Sequence, residues 1–168
     1  MFPFAPPDLD DPRRKRGTVA IDFDGVIHSY EKGWGDGSIY GTEVPGAFGA
    51  IWFLMELFNV FIFTSRDPVE VAEWLGRMGG FNCRVDLPAA KAGRKFWSDP
   101  DWLLITDLKL PAIAYIDDRG IRFTDWRDAL SQLGQIAGPE VMKQAGPAAE
   151  RAKNRALAAS DQKDEAQS

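Results

Sequence analysis

Cysteine is almost absent from this sequence: Cys83 stands alone, so no internal disulfide can form, and the residue reads as a small, partly buried apolar side chain. Long apolar runs are missing as well. No stretch of the 168 residues approaches the roughly 20 consecutive apolar residues that a membrane-spanning helix needs. The start, MFPFAPPDLDDPRRKR, places its basic cluster after its apolar residues, the reverse of a secretory leader. Positive charge is in deficit: 20 Lys and Arg stand against 25 Asp and Glu, a formal net charge of -5. That balance argues against a broad basic surface that coats nucleic acid and leaves room only for local contacts. These absences together predict a cytoplasmic protein that does not engage a membrane.

Neither end of the chain has the composition of packed structure. Residues 1–16 carry prolines at 3, 6, 7 and 12 and the run Arg13-Arg14-Lys15-Arg16, and they are expected to form a flexible N-terminal arm. Residues 139–168 are rich in Ala, Lys, Glu and Gln, which suits an exposed helical or disordered tail, one that could also join subunits of a homo-oligomer. Between them, residues 17–138 hold the material for one packed domain, in a chain that is 45% hydrophobic and 27% charged overall.

Three short apolar runs organise that domain. Thr18-Val19-Ala20-Ile21 ends at Asp22, Asn59-Val60-Phe61-Ile62-Phe63 ends at Thr64, and Ala112-Ile113-Ala114-Tyr115-Ile116 ends at Asp117. Continuous apolar runs with polar ends are the pattern of buried parallel strands. Residues 47–58 have helical length and join the first two runs as a crossover. Asp67-Pro68-Val69-Glu70 opens a second helix with an acidic cap, a proline at the first helical position and a glutamate three residues past the cap. Gly79-Gly80 closes it. Thr124-Asp125-Trp126 starts a further helix to about Leu133, and Cys83–Asp86 and Trp102–Thr106 are weaker strand candidates. The alternation predicts an α/β fold with an open, mainly parallel, Rossmann-like sheet and helices on both faces.

Ligand sites in such sheets lie beyond the carboxyl ends of the strands. The three ends read Asp22-Phe23-Asp24-Gly25, Thr64-Ser65-Arg66 and Asp117-Asp118-Arg119, with Lys109 ahead of the last strand. Taken singly, each has an ordinary reading as a turn former, a polar strand exit or a solvated lysine. Gathered at neighbouring ends of a buried sheet, the carboxylates would repel one another without a cation between them.

This ordered set resembles the motifs of the haloacid-dehalogenase-like superfamily. Ile21-Asp22-Phe23-Asp24-Gly25-Val26 is similar to its first motif, Phe63-Thr64 to its second, Lys109 to its third and Ile116-Asp117-Asp118 to its fourth. Lys91 and Lys95 are rivals for the third. The resemblance implies a phosphatase in which Asp22 attacks phosphorus and becomes an aspartyl-phosphate, while Asp24 protonates the leaving oxygen and later activates water. It also implies Mg2+ held by Asp22, the backbone carbonyl of Asp24 and Asp117, with Asp118 as a further ligand. Thr64 and Lys109 would hold phosphoryl oxygens. Ser65 could assist, and Arg66 would either contact substrate or form a salt bridge.

The interval between Gly25 and Ala47 is short and rich in glycine and aromatics. That is the composition of a flap rather than a cap domain, so the site should be open. His28, Tyr30 and Trp34 could stack on a base or pack the flap onto the core. The expected substrate is a nucleotide-like phosphomonoester. The alternatives are a phosphorylated nucleic-acid end, with Arg13–Arg16 as an electrostatic handle, and a non-catalytic module that binds a phosphate ligand.

Overall fold

The computed structural model describes residues 8–121 together with residues 130–133, 135, 139, 143, 150 and 151. The chain divides into two units, 1–118 and 119–168, so the division falls twenty residues before the expected domain end at 138. Everything below concerns the first unit. In the second, the described residues 130–133 are helical; the rest of the helix read from Thr124, and most of the tail, lie outside the described residues.

The first unit is an α/β fold of Rossmann-like type. Five strands, β1 (Thr18–Asp22), β2 (Asn59–Phe63), β3 (Cys83–Val85), β4 (Leu103–Thr106) and β5 (Ala114–Ile116), form one all-parallel sheet in the order β3-β4-β2-β1-β5. Side chains alternate across the pleat. Val19, Ile21, Val60, Ile62, Leu103 and Ile105 face one side, where they meet Ile51 and Met55 of helix α1 (Ala47–Leu57) and Val71, Trp74 and Leu75 of helix α2 (Pro68–Gly79). Ala20, Phe61 and Leu104 face the other side and are covered by Trp97 and Leu110.

Local chemistry sets the helix ends. Asp67 accepts the Val69 N–H at 2.8 Å, Pro68 takes the first helical position, and Gly80 stops α2 at φ 71°. Helix α1 begins where Glu43 Oε1 accepts the Phe48 N–H at 2.7 Å.

The structure differs from the sequence reading in three places. The strand read from Ala112 is shorter and exposed: β5 pairs only with β1 and is an edge of the sheet among the described residues, which leaves Ile116 42% exposed. A short helix, α3 (Pro88–Gly93), occupies a stretch whose small residues give no apolar period. The segment expected to be a free arm is docked over its last residues. Pro12–Lys15 form a 3-10 turn capped by Asp11, Arg13 is bidentate to Asp101 at 2.7 and 3.0 Å, and the buried Asn59 side chain donates to the carbonyls of Arg13, Arg14 and Arg16. Cys83 is half-buried, and burial pushes its thiol up to about 12, well away from reactive thiolate chemistry.

Candidate functional site

The parallel register places the ends of β2 and β5 on either side of β1. Asp22 pairs with Phe63, the residue before Thr64, and Ile21 pairs with Ile116, the residue before Asp117. Carboxylate oxygens of Asp22, Asp117 and Asp118 can all lie within 4.8 Å of one another. Burial raises the carboxyl of Asp22 to about 6 against the opposing hydrogen bond from the Phe23 N–H at 2.8 Å, and the negative charges of Asp117, Asp118 and Asp24 raise it further. Three hard oxygen donors that disfavour one another's charge fit a divalent cation such as Mg2+.

A glycine makes this convergence feasible. Gly25 has φ 80°, and a Cβ there would sit 2.5 Å from Asp118 Oδ2. The chain turns sharply at that point, with the Gly25 N–H donating to His28 O at 2.8 Å and the His28 N–H to Phe23 O at 2.9 Å. Only a residue without a side chain meets both the positive φ and the close carboxylate.

Asp24 points into a different set of partners and is not part of the carboxylate cluster. Arg66 Nε donates to both of its oxygens, at 2.9 and 2.8 Å. His28 Nδ1 lies 2.9 Å from Oδ1, and on the far side of the ring Nε2 accepts the Gly41 N–H at 2.7 Å. A backbone N–H can only donate, so Nε2 is the acceptor and Nδ1 carries the proton: His28 is neutral and donates to Asp24. The ring is wholly buried. Phe23 stacks on it with centroids 5.2 Å apart, and Tyr40 and Trp74 present edges to it. Gly41 is required here because a Cβ would come within 2.6 Å of Nε2 and 2.4 Å of Ser29 O.

Arg66 also holds the flap. Its Nη1 donates to Gly37 O at 2.5 Å and Ser38 O at 3.0 Å, and its guanidinium lies 4.9 Å from the Trp34 ring and 5.8 Å from that of Tyr30. The side chain is buried, and Nη2 has no partner among the described residues. Thr64 is buried too, and its Oγ1 accepts the Arg66 N–H at 3.1 Å, a bond that leaves the hydroxyl proton available to a ligand. Ser65, next to it, is exposed.

The structure therefore brings together Asp22, Asp117 and Asp118 in one cluster, and Asp24, His28 and Arg66 in another beside it. It separates some roles that the sequence left joined. His28 does not offer a stacking face to substrate, because the ring is buried and both nitrogens are engaged. Of the two roles open to Arg66, the salt bridge to Asp24 is the one formed. Trp34 keeps 45% of its surface exposed and retains a free face. Among the lysines, Lys91 pairs with Asp107 at 2.6 Å, and Lys95 lies two residues before Trp97, whose carbonyl accepts the hydroxyl of Thr18 at the opposite end of β1. Lys109 is exposed, 5.4 Å from the ring of Tyr115 in β5, with no acidic partner among the described residues. The positioning roles of Gly41 and His28 had one sequence signal, a histidine four residues after Asp24 inside a glycine-rich turn.

No protein-family model matches the chain, and no curated protein sequence matches it. One solved structure, of a conserved protein from Bacteroides thetaiotaomicron, is similar at 23% identity and a TM-score of 0.42, over 73% of this chain and 95% of that one.

Proposed function

We propose that this chain is a Mg2+-dependent phosphomonoester hydrolase of the haloacid-dehalogenase-like type, with Asp22 as nucleophile and Asp24 as general acid and base. The observation that carries this reading is the division of labour among four aspartates at two adjacent strand ends. Asp22, Asp117 and Asp118 converge as a cation site, while Asp24 is withheld from it by Arg66 and His28. A fourth metal-binding carboxylate would be redundant, whereas a carboxylate two residues from the nucleophile and held in place by side-chain donors is positioned for proton transfer.

In the first step an oxygen of the ionised Asp22 attacks phosphorus, and the bond to the leaving oxygen breaks as Asp24 passes it a proton. In the second, Asp24 takes a proton from water, the resulting hydroxide attacks the aspartyl-phosphate, and inorganic phosphate departs with the Asp22 carboxylate restored. Mg2+ held by Asp22, Asp117, Asp118 and the backbone carbonyl of Asp24 would neutralise charge on the phosphoryl oxygens. Thr64 offers its hydroxyl proton to one such oxygen, and Lys109 is the ammonium assigned to another.

The substrate we infer is nucleotide-like. The flap is short, so affinity beyond the phosphate must come from its exposed surface, and Trp34 presents an aromatic face backed by the Arg66 guanidinium. Stacking of one base there is worth roughly 1–3 kcal/mol.

The test is phosphate release from a nucleoside monophosphate, a terminally phosphorylated oligonucleotide and a hexose phosphate, with Mg2+ and with chelator, by the parent chain, Asp22→Asn and Trp34→Ala. Chelator and Asp22→Asn should abolish release from all three. Trp34→Ala should weaken use of the base-bearing substrates only. Release that survives Asp22→Asn would reject the nucleophile, and equal use of the hexose phosphate, indifferent to Trp34→Ala, would reject the nucleotide.

A further inference from the structure

Beside the edge strand β3 and the first residue of β1, away from the aspartate cluster, a cavity of about 260 Å³ is lined by Arg14, Arg84, Arg94, Lys95, Trp97 and Asp99, among others. Thr18 Oγ1 donates to Trp97 O at 3.0 Å, which ties the cavity wall to the first residue of β1. Asp22 is the last residue of that strand, and four residues at about 3.3 Å each put the two ends roughly 13 Å apart. The cavity is therefore not an extension of the site described above.

Its charges are incompletely matched. Arg94 is bidentate to Asp86 and satisfied. Arg14 and Arg84 share a single acid: both approach the same oxygen of the buried Asp99, at 3.6 and 3.5 Å, beyond good hydrogen-bond length. Lys95 has no partner among the described residues. Three cations thus stand against one carboxylate. Trp97 supplies a second, independent sign of a missing acceptor. It is 3% exposed, and its indole N–H is buried without a hydrogen-bond partner among the described residues. Orphaned buried donors are uncommon and costly; this N–H is closed to solvent as it stands, so an oxygen-bearing anion would reach it only as the cavity wall opens.

We propose that this cavity binds a compact phosphate-type oxyanion, free or carried on a small molecule, at a site separate from the aspartate cluster. Planar guanidinium groups suit the tetrahedral face of a phosphate. Arg14 already gives Nε to Asp8 O at 2.8 Å and Nη1 to Ser98 O at 3.3 Å, so its Nη2 and the guanidinium of Arg84 are the donors that the loose sharing of Asp99 leaves to turn toward it, with Lys95 in the same wall. Because the site lies at the far end of β1, a ligand there would not compete with a phosphoryl group at Asp22.

The experiment titrates the full chain with inorganic phosphate, and separately with a nucleoside monophosphate, in chelator so that the aspartates hold no cation and repel anions. Heat and the indole N–H resonance of Trp97, assigned by its loss in Trp97→Phe, are followed together. One site is expected, with a downfield shift of that resonance as its N–H finds an acceptor. Arg84→Gln should weaken binding by roughly tenfold. Lys95→Glu, a change at an exposed residue that leaves the fold intact, should weaken it at least as much by reversing a charge at the mouth. Equal affinity for the two ligands identifies the free anion as sufficient, and tighter binding of the nucleotide identifies a carried phosphate. No binding up to roughly 10 mM, or an isotherm unchanged by Lys95→Glu and Arg84→Gln, would overturn the proposal, as would binding that leaves the Trp97 resonance in place.

Discussion

The hydrogen bond between His28 and Asp24, 2.9 Å from Nδ1 to Oδ1, has its direction set from the opposite side of the ring, where the Gly41 N–H occupies Nε2 at 2.7 Å. The donor to Asp24 is thus fixed by a backbone amide thirteen positions further along the flap. The orientation of the proposed acid and base depends on the flap being closed over it.

Replacing the ring by shorter amides separates that role from packing. In His28→Asn the amide nitrogen falls near the position of Nδ1, whereas in His28→Gln it falls near Nε2. Both should lose about 1–3 kcal/mol of stability from the aromatic cage. Turnover should differ: Asn should retain about a tenth of it, and Gln about a hundredth. The loss should shrink for substrates with weakly basic leaving groups, which need less proton donation. Equal defects in Asn and Gln, with no dependence on the leaving group, would mean that His28 only fills space.

Gly25→Ala tests the meeting of the ends of β1 and β5. The added Cβ meets Asp118 Oδ2 at 2.5 Å while the residue is held at φ 80°. Strain of about 1–3 kcal/mol is expected, and it should fall on the metal site, because Asp118 must swing away to relieve it. Calorimetry with Mg2+ should show affinity lost by more than tenfold while the melting temperature drops only a few degrees. Unchanged Mg2+ affinity would place Asp118 outside the ligand set.

The strands that carry these residues were legible because a buried parallel strand must be apolar on both faces, which Val19–Ile21 and Val60–Ile62 display without interruption. The exposure of β5 was not, since being at an edge is a property of neighbours and leaves no mark in Ala114-Tyr115-Ile116. Docking of the arm was hidden for a similar reason. Its anchors are Asn59, Asp99 and Asp101, each far along the chain, while the local composition of prolines and charges reads as unstructured. In the site, the carboxylates could be found from strand ends alone. The Arg66 bridge between Asp24 and the flap could not, because it joins residues 42 positions apart through a side chain equally suited to a ligand.

Asp22 gives a pH dependence with a defined sign. Its carboxyl is raised from 3.8 to about 6, so the folded state holds a proton that the unfolded state has released between those values. Without metal, its contribution to stability is favourable at low pH and is lost as pH rises through about 6. In chelator, the melting temperature of Asp22→Asn relative to the parent should therefore rise between pH 5 and 7.5, since the amide never acquires the charge. Mg2+ should reverse the order at pH 7.5 by binding only the parent, and its affinity should fall about tenfold per pH unit below 6 as the proton competes. A constant difference across that range would remove Asp22 as the titrating group.

Arg66 connects the flap to the chemistry, and Arg66→Lys keeps the charge while removing the geometry that makes the connection. The arginine uses Nε on Asp24 and Nη1 on the carbonyls of Gly37 and Ser38. A lysine offers one compact ammonium, which can serve one of these partners but not span both. Asp24 should then lose its orientation, the flap its tether, or both, and turnover should drop by about 10- to 100-fold. The two losses can be read apart, because Lys32 is the only lysine or arginine between Gly25 and Gly46 and trypsin cleavage there tracks opening of the flap. If the lysine stays with Asp24, cleavage at Lys32 accelerates and the dependence on leaving group is preserved. If it moves to the flap carbonyls, cleavage stays slow and turnover falls most for strongly basic leaving groups. Wild-type cleavage together with wild-type turnover would show that Arg66 couples nothing, and that the closed flap and the placement of Asp24 are independent.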